Sequence, residues 1–299
     1  MRIPRFIRRV SNSKPTQIQL LSNLIKPIIV LTFIFNMSQS FALEPTLLFY
    51  DKTQNPKSNL PKNFRDLSHL QINAIASGEF SENQLKEVRQ TYPNDKIIVV
   101  DLRRESHGLI NGEAVSWRAP FDQTNNNKSP QEIMAEEKML LNAAKQGQKI
   151  IINQILSKEP VNGWYLEISP KIVEIKTIDT EKSLVEKFGF EYKRFAVRDY
   201  SAPNAKQLEE MVKFIKTLPS NKKLYVHCAG GEGRTTNFLV LFDIIKNGKK
   251  TSLKEILNRQ AKLNGAQLDE FAKKEEWRKQ LATERLKSIE QFYQTEIIN

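Results

Sequence analysis

The pattern of hydrophobic and polar positions divides the chain into alternating strands and helices. Lys96–Leu102 is a continuous apolar and β-branched run, as expected for a strand that is buried on both faces. Further strands are predicted at Glu191–Val197 and Lys223–Val226, and helices follow them over 204–218 and from about Arg234. Strands that alternate with helices in this way predict an α/β fold.

Three more helices are predicted. A helix over 81–89 follows a serine that is a suitable N-cap. A helix over 129–145 begins with Ser129 as N-cap, a proline in the first turn and Glu132 completing a capping box. A short helix is expected over 180–188.

The remaining segments set the predicted domain organisation. Residues 148–156 and 164–177 alternate partly and predict a small β subdomain built around 146–180. Residues 43–95 are polar and turn-rich, and apart from the helix already named we expect a lead-in packed on the core. Because no internal repeat is visible, we predict one catalytic domain over 43–299.

The N-terminal segment has the features of an export signal. Residues 1–42 contain six basic residues and no acidic one, which is half of the net charge of +12. An apolar run over Ile28–Phe35 is followed by small residues at Ser40 and Ala42, which predicts a signal peptide cleaved after residue 42. The run is shorter than the roughly 20 residues that span a bilayer. This disfavours an uncleaved membrane anchor, so we expect an exported protein, periplasmic or secreted, without stable membrane insertion after cleavage.

Charge and cysteine content direct the search for chemistry. A net charge of +12 favours an anionic partner, which is nucleic acid, an acidic membrane or a phosphorylated ligand. The single cysteine, Cys228, excludes an intramolecular disulfide, so its surroundings are the first place to look for reactivity. Zinc is disfavoured, because one thiol and the separated His69, His107 and His227 do not form a ligand set. No metal or cofactor is predicted.

The surroundings of Cys228 have the spacing of a phosphate-binding loop. Five residues, Ala229-Gly230-Gly231-Glu232-Gly233, separate the cysteine from Arg234 and allow the backbone to curl into a cup whose N–H groups point inward. A dianionic phosphoryl group fits such a cup, and the start of the following helix adds positive potential. A Walker-type loop is excluded, because no Gly-Lys-Ser/Thr follows.

Residue types at the loop suggest roles in phosphoryl transfer. The helix start favours the thiolate form of Cys228, which is the nucleophilic form. Arg234 is suited to grip two phosphoryl oxygens in a bidentate manner, and Thr235 is expected to donate a hydrogen bond to the sulfur. The reaction also needs an acid, and the best candidate is Asp199, at the start of a loop that Pro203 stiffens. A turn or helix cap is the alternative for Asp199.

Polar residues also follow the buried strand 96–102, at the sheet edge where α/β proteins build their sites. We expect Arg103, Arg104 and Glu105 to form a supporting ion-pair network and His107 to be a structural hydrogen-bonding residue.

Taken together, these motifs resemble the cysteine phytases, or protein-tyrosine-phosphatase-like inositol polyphosphatases. The segments that carry the resemblance are Leu60–Arg65, Asp101–Gly108, Val115–Trp117, Tyr192–Pro203, the Cys228 loop, Trp277-Arg278 and Gln291–Tyr293. The resemblance implies a phosphatase α/β core beside a small partial β-barrel. It also implies that Cys228 is the nucleophile, Asp199 the general acid and Arg234 the phosphate binder, and that Arg65, Asp122 and Arg278 line the substrate pocket. From their places beside Cys228 and Arg234, we group His227 and Thr235 with the catalytic residues.

The outer positions have simpler explanations as well, and the sequence departs from the family in places. Arg65 and Arg278 are expected either in the pocket or as ordinary surface cations, and Asp122 as a pocket residue or a turn cap. Tyr200 stands where the family often has histidine, and Ala202 where it often has tryptophan. Glu232 adds a negative charge to the loop, and we expect it to point outward, to solvent or to a basic neighbour.

The predicted function is stepwise hydrolysis of inositol polyphosphates through a phosphocysteine intermediate. One alternative is a protein tyrosine or phosphoinositide phosphatase with the same chemistry, translocated into a host cell. A second is an idle phosphate-binding or nucleic-acid-binding module. The retained cysteine, arginine and acid argue against the second alternative, and no aromatic-basic pattern supports nucleic acid as a partner. Oligomeric state is left open.

Overall fold

The structure is a computed structural model that describes residues 46–122, 124–156, 167–270 and 275–298. The signal-peptide prediction over 1–42 lies outside the described residues. The strands are β1 (Leu47–Tyr50), β2 (Arg65–Asp66), β3 (Ala74–Ser77), β4 (Lys96–Arg103), β5 (His107–Ile110), β6 (Glu113–Arg118), β7 (Lys149–Ile155), β8 (Ile168–Glu174), β9 (Ile178–Asp179), β10 (Glu191–Val197) and β11 (Lys222–His227). The helices are α1 (Glu82–Thr91), α2 (Pro130–Gly147), α3 (Glu181–Lys187), α4 (Ala205–Lys216), α5 (Gly233–Asn247), α6 (Leu253–Lys262) and α7 (Glu276–Ile298).

A five-stranded sheet forms the centre of the fold, in the order β10-β4-β11-β3-β2. Its first four strands are parallel, and only β2 is antiparallel to its neighbour. Because β11 lies between β4 and β3, its carboxyl end opens at the middle of the sheet edge, where α/β folds bind ligands. The predicted α/β class is confirmed by this arrangement.

Alternate side chains of the central strands pack against different helices. Ile98 and Val100 of β4 belong to a core with α4 and α5, whereas Ile97 and Val99 belong to a core with α1 and α3. Helix α5 is buried over 234–244, since α6 and α7 cover its remaining side. A nearly enclosed α5 fixes the loop that precedes it, and that loop carries Cys228.

A second sheet has six strands in the order β8-β7-β1-β6-β5-β9. Three of its strands, β7 to β9, come from the predicted β subdomain around 146–180, and the others come from 47–50 and 107–118. Its end strands, β8 and β9, do not pair with each other in the described part of the chain, so the sheet is open there. The boundaries of a separate subdomain stay a prediction.

The expectation that residues 43–95 are only a lead-in is wrong. Strand β3 from this segment pairs with β11 over four positions and is fully buried in the central sheet. Strand β1 pairs with both β6 and β7 in the second sheet. Both strands have only four residues, and the small side chains of Ala74-Ile-Ala-Ser77 give little apolar signal.

The helix starts agree with the sequence patterns. Ser81 and Ser129 are the N-caps of α1 and α2, each within a capping box, and Thr180 caps α3.

Among the described helices, none combines the length and apolar character required to cross a bilayer.

Candidate active site

The loop after β11 lies at the centre of the candidate site. Cys228 directly follows β11, its side chain is buried, and α5 begins at Gly233, five residues later. The loop is therefore held between a central strand and an enclosed helix, as the sequence predicts.

Three consecutive carbonyl groups of the loop are bound from outside. Ala229 O accepts from the backbone N–H of Glu79 at 3.1 Å, and Gly230 O accepts from Asn63 Nδ2 at 2.9 Å. Gly231 O accepts from the Arg65 guanidinium at 2.9 Å. In a trans peptide the N–H points away from the carbonyl, so the N–H groups that follow these carbonyls face the opposite side. The outward bonds thus orient a row of donors toward one concave side, as an anion site requires.

Close backbone contact makes Gly231 necessary for this shape. Its φ is +72°, in the left-handed region, and a Cβ placed on it would lie 2.3 Å from the backbone nitrogen of Gly78. A second glycine, Gly78, faces the loop in return, with its Cβ position 3.1 Å from Gly230. The segment after β3 therefore packs directly on the loop, which explains why both positions lack side chains.

Arg234 lies in the first turn of α5 and is held by two carboxylates. Its terminal nitrogens bind both oxygens of Glu105, at 2.7 and 3.0 Å. Its Nε lies 3.1 Å from Asp199 Oδ1. The side chain is only 2% exposed, and these charges together with that of the Cys228 sulfur hold its pKa above the ordinary value despite burial. The guanidinium plane is thus fixed beside the loop before any ligand is bound.

The ion pair with Arg234 brings Asp199 to the site. Its carboxylate is about a quarter exposed, and Oδ1 accepts the backbone N–H of Tyr200 at 2.9 Å. Tyr200 has a φ of +59°, so the acid loop turns sharply directly after Asp199. The predicted acid is therefore near the predicted phosphate binder, as general acid catalysis requires.

Thr235 and His227 are buried around the loop. The Thr235 hydroxyl has no hydrogen-bond partner in the described part of the chain, so the expected bond to sulfur is not formed in this structure. The ring of His227 contacts Glu181 at 2.9 Å and is completely buried. We propose that His227 acts by positioning the loop.

Arg65 and Asp122 are two further residues predicted to line the substrate pocket. Arg65 is 4% exposed and donates a hydrogen bond to the loop carbonyl of Gly231, so it supports the loop from its outer side. Burial lowers its pKa to about 10. Asp122 ends a 3-10 turn, and its side chain lies outside the described part of the structure. Direct contact of either residue with substrate stays a prediction.

Arg278 is held by aromatic side chains beside the acid loop. Its guanidinium carbon lies 4.7 Å from the ring centre of Tyr200 and 5.1 Å from that of Trp277. The Tyr200 and Trp277 rings meet edge to face, and the Phe121 and Trp277 rings do the same. These contacts connect the acid loop to α7 and hold Arg278 against Tyr200, the residue that follows Asp199.

Glu232 points away from the concave side of the loop. One of its carboxylate oxygens lies 3.2 Å from Asn63 Nδ2 and 3.7 Å from Lys62 Nζ, and its side chain is more than half exposed. The negative charge that the sequence places in the loop is therefore directed to a basic neighbour and to solvent, as expected.

Sequence reasoning missed Arg285. This residue of α7 is 3% exposed, and one of its terminal nitrogens lies 3.0 Å from the position that a Cβ on Gly233 would take. Burial lowers its pKa, and the charges of Asp199 and Cys228 act against that shift. Its Nε has no hydrogen-bond partner in the described part of the chain. It lies seven residues after Arg278, about two helical turns, and this spacing is the only sequence signal that connects it to the site.

The network behind the loop is larger than the sequence indicates. Arg103 is completely buried and binds Glu105, as expected, but it also binds Glu79 and Asp51. Arg104 differs from the prediction of an ion pair, because it donates to backbone carbonyls, including Asn125 O at 2.9 Å.

These features define a class of protein. A buried cysteine after a central strand, a loop with outward carbonyls and an arginine at the start of the next helix form the site of a cysteine-based phosphatase. The model of the PTP-like phytase (inositol hexakisphosphate) family matches residues 100–246. The chain belongs to this family.

Solved structures agree with this assignment. The PTP-like myo-inositol phosphatase from Mitsuokella multacida, in complex with myo-inositol-(1,3,4,5)-tetrakisphosphate, is 31% identical with a TM-score of 0.73, over 84% of this chain and 45% of that chain. A PTP-like phytase from Bdellovibrio bacteriovorus is 29% identical with a TM-score of 0.68, over 85% of this chain and 90% of that chain.

A curated relative has a different description. Effector protein hopD2 of Pseudomonas syringae pv. tomato is 29% identical over 221 residues, which is 71% of this chain and 45% of the relative. The chain spans about half the length of the curated relatives it matches.

Proposed function

We propose that this protein removes phosphates stepwise from inositol polyphosphates, phytate included, through a phosphocysteine intermediate. The observation that carries the proposal is the meeting of Cys228, Arg234 and Asp199 at one anion-binding loop. Membership of the PTP-like phytase family supports the inositol phosphate as substrate.

The proposed reaction has two displacements. In the first, the thiolate of Cys228 attacks phosphorus, the bond from phosphorus to the ester oxygen breaks, and Asp199 gives its proton to the leaving alkoxide. In the second, the Asp199 carboxylate takes a proton from water, the water oxygen attacks phosphorus, and the phosphorus–sulfur bond breaks. Inorganic phosphate leaves and the thiolate is restored. Arg234 and the loop N–H groups stabilise the charge on the phosphoryl oxygens in both steps.

Cations around the loop support a polyanionic substrate. A terminal nitrogen of Arg285 lies beside the loop, and its Nε has no hydrogen-bond partner among the described residues. Arg278 is held next to the acid loop. We propose that both bind phosphates other than the one being removed. The related Mitsuokella structure contains an inositol tetrakisphosphate, which is a ligand of this kind.

A second candidate function is hydrolysis of phosphotyrosine or phosphoinositides inside a host cell. Similarity to a protein named as an effector supports this candidate. The aromatic side chains Phe121, Tyr200 and Trp277 lie beside the acid loop, and Phe121 is 38% exposed, so an aromatic leaving group would find apolar contacts there.

Phosphate release by the full chain, measured with a chelator present, tests the proposal and separates the candidates. We expect faster release from inositol hexakisphosphate than from a phosphotyrosine peptide, and loss of both activities in Cys228→Ser. Release that needs a metal, or that survives the substitution, contradicts the mechanism, and preference for the peptide favours the second candidate. We also propose export to the periplasm or medium, with transfer into a host cell as the alternative. Fractionation of cells that express the full chain, with assay of their medium, tests this proposal. Retention of the chain in the cytosol contradicts it.

A further inference from the structure

Glu181 bridges two histidines directly behind the phosphate-binding loop. Its Oε1 lies 2.9 Å from Nε2 of His227, and its Oε2 lies 2.8 Å from Nε2 of His107. All three side chains are at most 2% exposed. His227 immediately precedes Cys228, so this carboxylate is connected to the loop through one residue. Glu181 is the first residue of α3, which follows β9 of the six-stranded sheet.

Further charged groups face the two imidazoles. Glu79 lies 3.8 Å from Nδ1 of His227. Asp101 and Glu137 each lie 3.5 Å from a ring nitrogen of His107. The arginines of this region bind the same carboxylates: Arg103 pairs with Glu79, and Arg194 pairs with Asp101 and Glu137.

The count of charges in this cluster favours protonation of both histidines. Four carboxylates, Glu79, Asp101, Glu137 and Glu181, face two arginines, Arg103 and Arg194. Two imidazolium ions make the cluster neutral, whereas neutral imidazoles would leave an excess of buried negative charge, which is unfavourable. The other carboxylates on Arg103, Asp51 and Glu105, have Arg118 and Arg234 as partners of their own.

The pKa shifts of the two histidines agree with this count, although burial and the charge of Glu181 raise the pKa of Glu79. Burial alone would lower the pKa of His227, but the charges of Glu181 and Glu79 raise it to about 9. The pKa of His107 is also raised to about 9, because Asp101 and Glu137 outweigh burial and the repulsion by Arg103. Both imidazoles therefore keep their protons through the neutral range.

We propose that Glu181 is a positioning residue for the nucleophile: by bridging His107 and His227 it keeps a fixed, charged imidazolium next to Cys228. That positive charge favours the thiolate, in addition to the contribution of the α5 N-terminus. The inference rests on the proposed function of Cys228 as nucleophile. According to this inference, the thiolate form of Cys228 depends on Glu181, a residue of α3 that lies outside the loop.

The test uses the protonation state of the histidines, which can be followed by NMR on the full chain. The sequence has only three histidines, and His69 is exposed and serves as an internal reference. In the wild type we expect His107 and His227 to stay protonated until the pH approaches 9. In Glu181→Gln we expect the His227 titration to move down by about one pH unit or more. At a pH where only the wild type keeps the His227 imidazolium, we expect iodoacetamide to alkylate Cys228 more slowly in Glu181→Gln than in the wild type.

The matched control is Glu186→Gln. Glu186 is on the same helix, is exposed and pairs with Lys182, so its removal should leave both titrations unchanged. An unchanged His227 titration in Glu181→Gln overturns the proposal, and so does a shifted histidine with an unchanged alkylation profile. If Glu181→Gln does not fold, the wild-type titration decides, because a neutral His227 at pH 7 contradicts the proposal. Neither readout uses phosphate release, so failure of the proposed function would be seen separately.

Discussion

At the scale of single residues, the site places opposite charges in direct contact around one sulfur. Arg234 is bound by Glu105 and Asp199, and Glu105 is in turn bound by Arg103. The charges of Arg234 and Arg103 hold the pKa of Glu105 well below its usual range although most of its side chain is buried. Glu105 therefore remains ionised and keeps Arg234 oriented, while Asp199, which is more exposed, is the carboxylate that we propose for proton transfer.

Asp199→Asn tests that division of roles. The amide preserves the size of the side chain and a contact with Arg234 but cannot give or take the proton. We expect phosphate release from inositol hexakisphosphate to fall by about 10²–10⁴-fold, with little change in substrate binding measured by calorimetry. Equal weakening of binding and turnover would indicate that Asp199 serves only to hold Arg234.

The individual residues differ in how far the sequence predicts them. Cys228 and Arg234 can be predicted from the sequence, because their spacing within one glycine-rich segment is what a phosphate-binding loop requires. Arg285 and Glu181 cannot be predicted in this way, since each is one charged residue in a charged helix and only the tertiary fold brings it to the loop. Arg65 is visible as a motif residue, but its bond to a loop carbonyl could not be foreseen.

At the scale of elements, the sequence predicts β4, β10, α2 and α5 well, because each has a continuous apolar run or a clear cap. The segment that supports the loop was missed. Strand β3 is only four residues long with small side chains, and its value lies in the close approach of Gly78 to the loop. Such backbone contact is a property of tertiary packing and leaves no periodicity to detect.

Gly231→Ala tests this contact between elements. The alanine would be strained in the left-handed region by about 1–3 kcal/mol, and its Cβ would also collide with the segment after β3. We expect a lower unfolding free energy in urea titrations and weaker binding of inorganic phosphate. Gly147→Ala is the control, because a Cβ there meets no atom within 4 Å. Unchanged stability and phosphate binding in Gly231→Ala would show that the loop does not need this approach.

At the scale of the whole molecule, the loop depends on both sheets. The five-stranded sheet provides β11 and the Gly78 segment, and the six-stranded sheet provides His107 through β5 and leads into Glu181 through β9. From the sequence the class of fold and the loop are predictable, because both are local patterns. The way in which 47–50, 107–118 and 149–179 assemble into one sheet is not, since their pairing depends on contacts between distant segments.

The proposed mechanism requires the Cys228 sulfur to carry the phosphoryl group during turnover. Rapid acid quenching of the full chain during hydrolysis of ³²P-labelled inositol polyphosphate, followed by peptide mapping, tests this step. We predict label on the peptide that contains Cys228, bound in an acid-stable manner, and none in Cys228→Ser. Turnover with no labelled protein at any quench time, or label on a different residue, would contradict the account.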